Sequence, residues 1–338
     1  MAQYRYNLIL DRWTILAADR GKRPTDFLHK KPPHKTPPPD FDPTCPFCPG
    51  NEAHTPPETF ALRHHDTTPD SPGWNVRVVP NKFPALAPHH AAHTQTPPLA
   101  LLPGHGAHEV IIESPIHNRS LGHHPPQHAY HILHTLRQRY QTHAQNNAHR
   151  LITIFYNHGP SSGASLTHPH FQLLAQPLVP PFLKRLLLHH QDYHHKNNRS
   201  PFDAVIDAEL RAQKRLILAD QHVLALCPFA SACPFEAYLL PRYPTPHIAD
   251  LDDVTLASLA NTLQNLLRRL DSGLDAPDYN ITFHTAPLHQ TAPAGFRCFL
   301  QIYPRLSTMG GFELASDTFI NTIPPETAAH FYRQQSQT

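Results

Sequence analysis

Residues 157–172 read Asn157-His158-Gly159-Pro160-Ser161-Ser162-Gly163-Ala164-Ser165-Leu166-Thr167-His168-Pro169-His170-Phe171-Gln172. Glycines and small hydroxyl residues of this kind let backbone N–H groups come close to an anion. The preceding run Leu151-Ile152-Thr153-Ile154-Phe155 predicts a strand, and Phe171-Gln172-Leu173-Leu174 predicts another, closed by Pro177, Pro180 and Pro181. Alternate residues of a strand share a face, so His168, His170 and Gln172 are expected to look into one pocket. In a chain with 30 histidines an HxH pair says little, because about three arise by chance. Its weight comes from position, behind a Gly/Ser loop and at the head of an apolar strand; a solvated strand face is the alternative. A histidine there can act on a phosphate diester or anhydride as general base, or as nucleophile through a neutral ring nitrogen. Nucleophilic attack requires the far ring nitrogen to be held by a backbone carbonyl. Gln172 can then donate to a non-bridging oxygen as charge builds.

Upstream, His108-Glu109-Val110-Ile111-Ile112-Glu113 predicts a strand stopped by Ser114-Pro115. Pro125 and Pro126 open a helix to about Asn146, with Tyr130, Ile132, Leu133, Leu136 and Tyr140 on one face. The same order returns after residue 220. Strands are expected at His222 to Leu226 and Glu236 to Leu240, a helix from Asp250 to Leu270, then strands at Tyr279 to His284 and Phe299 to Tyr303. Strand–helix–strand–strand twice over implies an internal duplication, and helices after antiparallel strands give an α+β class. Residues 182–220 connect the halves, with Phe182 to His189 and Asp203 to Leu218 expected as helices. Tyr6, Leu8 and Leu10, followed by Trp13, Ile15 and Leu16, predict an N-terminal hairpin, and Val76 to Val79 a short strand.

The other dense signal is Thr44-Cys45-Pro46-Phe47-Cys48-Pro49-Gly50. With five cysteines in 338 residues, chance supplies roughly 0.1 CxxC pairs. Two thiolates at that spacing reach one zinc in the turn that Pro49 and Gly50 favour, and two buried thiols are the alternative. The prolines deny the pair the helix N-terminus that a redox CxxC uses. Two more ligands are needed; Cys227, Cys233 and Cys298 read as core. A net charge of +2 gives no bulk attraction to nucleic acid or an anionic membrane, so any anionic ligand must be held locally. No stretch approaches the ~18 apolar residues of a membrane span, and Met1 to Tyr6 lack a signal-peptide core. With the odd cysteine count, the expectation is a cytoplasmic protein with no nucleic-acid or membrane partner. Pairs such as His64-His65 and His194-His195 are scattered over loops, without the tight tract of a metal store.

NHGPSSGAS followed by HPHFQ, the CPFC knuckle and HEVIIESPIH together resemble the galactose-1-phosphate uridylyltransferase family, the transferase branch of the histidine-triad superfamily. The resemblance runs from Arg5-Tyr6-Asn7 and Trp13, through Asp19-Arg20-Gly21-Lys22-Arg23-Pro24 and Asn81-Lys82-Phe83-Pro84, to Phe299-Leu300-Gln301-Ile302-Tyr303-Pro304 and Gly310-Gly311-Phe312-Glu313. GASLTHPH, CPFASACPFEAYLLPR and GGFEL also resemble a sister group, the ADP-glucose phosphorylases. The family implies a duplicated histidine-triad fold, two antiparallel-sheet-plus-helix halves packed together. Residues 1–181 would be the catalytic half with its zinc knuckle, and 182–338 a catalytically degenerate one.

It also implies a ping-pong reaction on a nucleotide sugar and a sugar 1-phosphate. His170 would attack the α-phosphorus, a sugar 1-phosphate would leave, and a second sugar phosphate or inorganic phosphate would take the nucleotidyl group from the histidine. Gln172, Asn157 and Ser165 match groups of the phosphate site, and Arg20 and Arg23 match arginines near the acceptor phosphate. Asn81 stands in the matched substrate segment, and Glu313 where the transferases contact the hexose. Cys45, Cys48, His117 and His168 match the four ligands of one structural zinc. A second metal site is expected to be lost: Phe299-Leu300-Gln301 has no histidine, and only His247 and His284 fall near its ligand positions. A homodimer is implied. Three functions follow: a UDP-glucose:hexose-1-phosphate uridylyltransferase, favoured by the HPH motif; an ADP-glucose phosphorylase or other adenylyltransferase; and a noncatalytic zinc-stabilised nucleotide-binding protein.

Overall fold

Thirteen strands form among the described residues, 2–20, 39–88 and 101–335, of the computed structural model. β1 (Gln3–Asn7) and β2 (Arg12–Leu16) make the hairpin. β3 (Phe60–Arg63), β4 (Trp74–Pro80) and β5 (Ala107–Ile112) lead to helix α1 (Pro126–Ala144), followed by β6 (Leu151–His158) and β7 (His170–Gln176). Helices α2 (Pro181–Asn197) and α3 (Pro201–Ala212) connect to β8 (Leu216–Ala219), β9 (Val223–Leu226) and β10 (Ala237–Pro241). Helix α4 (Asp253–Leu274), β11 (Tyr279–His284) and β12 (Phe299–Pro304) come next, then α5 (Gly311–Ser316), β13 (Phe319–Asn321) and α6 (Pro325–Gln334).

Ten strands make one sheet in the order β3-β4-β5-β7-β6-β11-β12-β10-β9-β8. The first five run 3-4-5-7-6 and the last five repeat that order as 8-9-10-12-11, each set with its helix before the fourth strand. The duplication is therefore a property of the topology, and the class is α+β. The halves meet at β6 and β11, which pair antiparallel with Asn157 opposite Asn280. β13 joins the hairpin in a separate three-stranded sheet, parallel to β2.

Strand parity decides which side carries chemistry. Ile111 of β5, and Phe171, Leu173 and Ala175 of β7, face a core built with the apolar stripes of α1 and α4. Each leucine buried there contributes roughly 1.5–3 kcal/mol. The alternate residues His170 and Gln172 must then lie on the helix-free face, beside Val110, Ile112, Phe47 and the cysteine knuckle. On the same face of the C-terminal half stand Phe299 and Gln301, but there Ile9 and Leu10 of the hairpin turn and Phe202 of α3 pack over the sheet.

Local expectation and structure part company between 203 and 218. The helix stops at Ala212 because Gln213 takes a left-handed conformation (φ 58°), and Leu216, Ile217 and Leu218 enter β8 instead. α2 extends well past His189, to Asn197, where left-handed Asn198 (φ 51°) caps it. Among the described residues no helix is long and apolar enough to cross a membrane.

Candidate active site

The Cys45–Cys48 turn closes by a Cys48 N–H to Cys45 carbonyl bond of 3.2 Å, which brings both sulfurs to one side. The Nδ1 of His117 lies 3.5 Å from Cys48 Sγ. That of His168 lies 3.6 Å from Cys45 Sγ and 3.7 Å from Cys48 Sγ. All four residues are buried and their ligand atoms lie within 4.8 Å of one another. Zn–S of about 2.3 Å and Zn–N of about 2.0 Å give tetrahedral S···N edges near 3.5 Å, close to these three sulfur–nitrogen distances, so the donor set suits zinc. His168 donates Nε2–H to the Ser114 carbonyl at 2.8 Å, which leaves Nδ1 unprotonated toward the sulfurs. Burial pushes the Cys45 thiol up to about 11; a bound cation would reverse that and hold the thiolate.

His170, the first residue of β7, donates Nδ1–H to the His168 carbonyl at 2.7 Å, so Nε2 keeps its lone pair. Its ring is buried, and that burial pulls its pKa below the ordinary histidine value, favouring the neutral form. Phe47, between the two cysteines, sets its edge against His170 at 5.2 Å and His168 at 6.0 Å. The knuckle thus steadies both rings.

Gln172 Oε1 accepts from His108 Nε2 at 2.8 Å, while the Ala85 N–H donates to His108 Nδ1 at 3.2 Å. A backbone N–H can only donate, so Nε2 carries the His108 proton. The oxygen of Gln172 is therefore committed, and its NH2 is the group left for an anion. Asn81 stands next to this chain: its Oδ1 accepts the Phe83 N–H at 2.9 Å and its Nδ2 approaches His108 Nε2 at 3.3 Å.

In the loop, a Cβ at Gly159 (φ 78°) would fall 1.9 Å from Asp278 Oδ1, so only glycine fits. Asp278 Oδ2 accepts the Ser161 N–H at 2.7 Å, and Asn157 Oδ1 accepts from Asn280 at 2.7 Å. Ser165 is on the exposed limb of the loop.

Cys45, Cys48, His117, His168, His170, Gln172, Asn81 and Asn157 are thus gathered around the head of β7. Glu313 is not: it rides on α5, its Oε2 accepting the Gly310 N–H at 2.9 Å, in the segment leading to β13. Arg20 ends a short turn, Ala18–Arg20, and only its backbone is described; Arg23 lies outside the described residues. His108, Phe47 and Asn280 escaped the sequence reading. For His108 a signal existed, since parity places it on the face of Val110, the partner of Gln172 across the β5–β7 ladder.

In the C-terminal half, His284 stacks on Phe299 (4.4 Å, 6°) and bonds Gln301 Oε1 at 2.8 Å. Gln301 in turn donates to Glu236, the ion-pair partner of Arg12 at 3.2 Å. His247 goes elsewhere, its Nδ1 2.9 Å from Tyr140 Oη and 3.2 Å from Thr285 Oγ1.

Next to Ser114, whose carbonyl aims His168, Glu113 is fully buried, and burial drives its pKa up to about 8 against a pull from the Leu121 N–H. A carboxyl raised on folding adds stability in full below its unfolded pKa of about 4.5, and that stability is lost as pH rises through 8. Glu113→Gln should therefore flatten the fall in stability between pH 5 and 8.5, on the order of a few kcal/mol. Denaturant melts of both proteins across that range check this; parallel curves would refute it.

Models of the galactose-1-phosphate uridyl transferase N-terminal and C-terminal domains match residues 1–180 and 186–328. The chain is 34% identical to ADP-glucose phosphorylase of Arabidopsis thaliana, over 99% of this chain and 93% of that protein. It is 27% identical to galactose-1-phosphate uridylyltransferase of Haemophilus influenzae, over 89% and 83%. The crystal structure of an Arabidopsis thaliana ADP-glucose phosphorylase with bound ADP-glucose superposes with a TM-score of 0.83 at 32% identity, covering both chains fully. A uridylyltransferase mutant gives 0.75 at 25% identity, over 86% of this chain and 92% of that one.

Proposed function

The chain belongs to the galactose-1-phosphate uridyl transferase family, and from that premise we propose that it moves a nucleoside monophosphate through His170, with ADP-glucose as donor and phosphate as acceptor. One observation carries the chemistry: the His170 Nδ1–H is engaged by the His168 carbonyl, so the lone pair is on Nε2. Nε2 attacks the α-phosphorus, the bond from phosphorus to the bridging oxygen breaks, and the sugar 1-phosphate departs with that electron pair. The amide NH2 groups of Gln172 and Asn157 stabilise the non-bridging oxygens as charge develops. An acceptor phosphate oxygen then attacks, and the N–P electron pair returns to Nε2. Arg20 and Arg23 are proposed for the acceptor phosphate, and Ser165 for the loop side of the anion.

Cys45, Cys48, His117 and His168 would hold one zinc; with four protein ligands it is structural, and it supplies rigidity to the HPH segment. The adenine donor is supported by the higher similarity to a phosphorylase. Proline between His168 and His170 favours UDP-glucose as the second reading. A homodimer is proposed because Glu313 and the exposed Phe312 and Leu314 sit on α5, where a partner subunit would be needed to bring Glu313 to a hexose. A cytoplasmic location suits five cysteines of which none forms a disulfide.

ADP-glucose and UDP-glucose, each labelled at the α-phosphorus, are incubated separately with the protein, which is then denatured and counted. Label from ADP-glucose that phosphate discharges as ADP is expected. Label from UDP-glucose alone would move the assignment to the second reading, and label from neither would leave a nucleotide-binding protein.

A further inference from the structure

Asn157 can assist an α-phosphate only if its NH2, and not its oxygen, faces the anion. Nothing within β6 makes that choice. It is made from the other half of the molecule, by Asn280, which lies directly across the β6–β11 seam and donates Nδ2–H to Asn157 Oδ1 at 2.7 Å.

The direction of this bond is dictated at both ends of Asn280. Its Nδ2 also donates to the Ser162 carbonyl at 3.0 Å, a group that can only accept. Its Oδ1 accepts from Arg305 Nε at 2.5 Å, a group that can only donate. A flipped Asn280 would set oxygen against carbonyl and NH2 against guanidinium, so one orientation survives and Asn157 must answer with its oxygen. Arg305 is itself anchored, its backbone N–H donating to the Asp278 carbonyl at 2.7 Å and its guanidinium 5.0 Å from the Tyr303 ring centre. Asp278 completes the set by accepting the Ser161 N–H.

Resting on the transfer reading above, we infer that the C-terminal half, which has no HPH of its own, positions the phosphate loop. Asn280 is the positioning residue and acts through Asn157, and Arg305 sets the orientation of Asn280. The same device recurs at Gln172, whose oxygen is occupied by His108.

Asn280→Asp keeps an oxygen for Arg305 but presents a second oxygen to Asn157, whose best response is to turn its own oxygen toward the phosphate. Single-turnover labelling by α-labelled ADP-glucose or UDP-glucose, whichever the wild type accepts, is measured with donor Kd and melting temperature. Labelling should slow about 10²-fold, the usual cost of one lost oxyanion donor, with little change in Kd. In an Asn157→Ala background the same substitution should change the rate by less than about threefold, because coupled residues do not add. Arg305→Gln should slow labelling in the same direction, and it decides by the same comparison if Asn280→Asp does not fold. Undiminished labelling by the folded variants, or an equal loss in the Asn157→Ala background, overturns the inference while the transfer reading stands. A wild-type chain that takes label from neither donor overturns both.

Discussion

Replacing His170 by glycine should leave a folded protein that still binds nucleotide sugar, takes up no covalent label, and turns over at least about 10⁴-fold more slowly. The expectation follows from the ring's two nitrogens. Nδ1 is bound to the His168 carbonyl at 2.7 Å, and Nε2 is the atom with a lone pair to give. Water cannot take its place in the proposed two-step transfer, whose retained intermediate would be the bond from phosphorus to that nitrogen. Binding should survive, since Gln172 and Asn157 are oriented by His108 and Asn280 and not by His170. Trapping with labelled donor, equilibrium binding and steady-state turnover together check it. Unimpaired turnover by His170→Gly would end the mechanism.

Cys48→Ser has the second largest expected effect. Cys48 Sγ is the sulfur near both histidines, 3.5 Å from His117 and 3.7 Å from His168. Serine at that position binds zinc poorly, and the free energy of metal binding at a structural site is folding free energy. A loss of several kcal/mol should lower the melting temperature by about 10 °C in a chain of this size. Activity should fall too, because the carbonyl that holds His170 belongs to His168, a member of the same four-donor cluster. Metal content by atomic emission, with calorimetry, tests this: one zinc per chain in the wild type and none in the variant. A variant that keeps its zinc and its melting temperature would show that the cluster does not depend on Cys48.

Much of the molecule was legible because its signals are local. The apolar stripes of α1 and α4 are spaced for one helix face, and they bury Ile132, Leu136, Leu259, Leu263 and Leu266 as periodicity requires. The CxxC spacing brings its sulfurs together through one turn hydrogen bond. Elements such as β3, β8 and β13, of three or four residues, were not read, or were read as helix, since runs so short are strands only when a neighbour pairs with them.

Sequence alone determined the duplication, the four-donor set once the family pattern was applied, and, through the two-residue repeat of a strand, that His170 and Gln172 share a face. Tertiary structure decided the rest: that the N-terminal hairpin covers the equivalent face in the C-terminal half, that Glu313 sits on α5, and which way the two amides point. Those orientations hang on Gln172 meeting a histidine 64 residues away and Asn157 an asparagine 123 residues away. A side-chain amide has no local preference between its oxygen and its nitrogen; only partners assembled by the fold can choose.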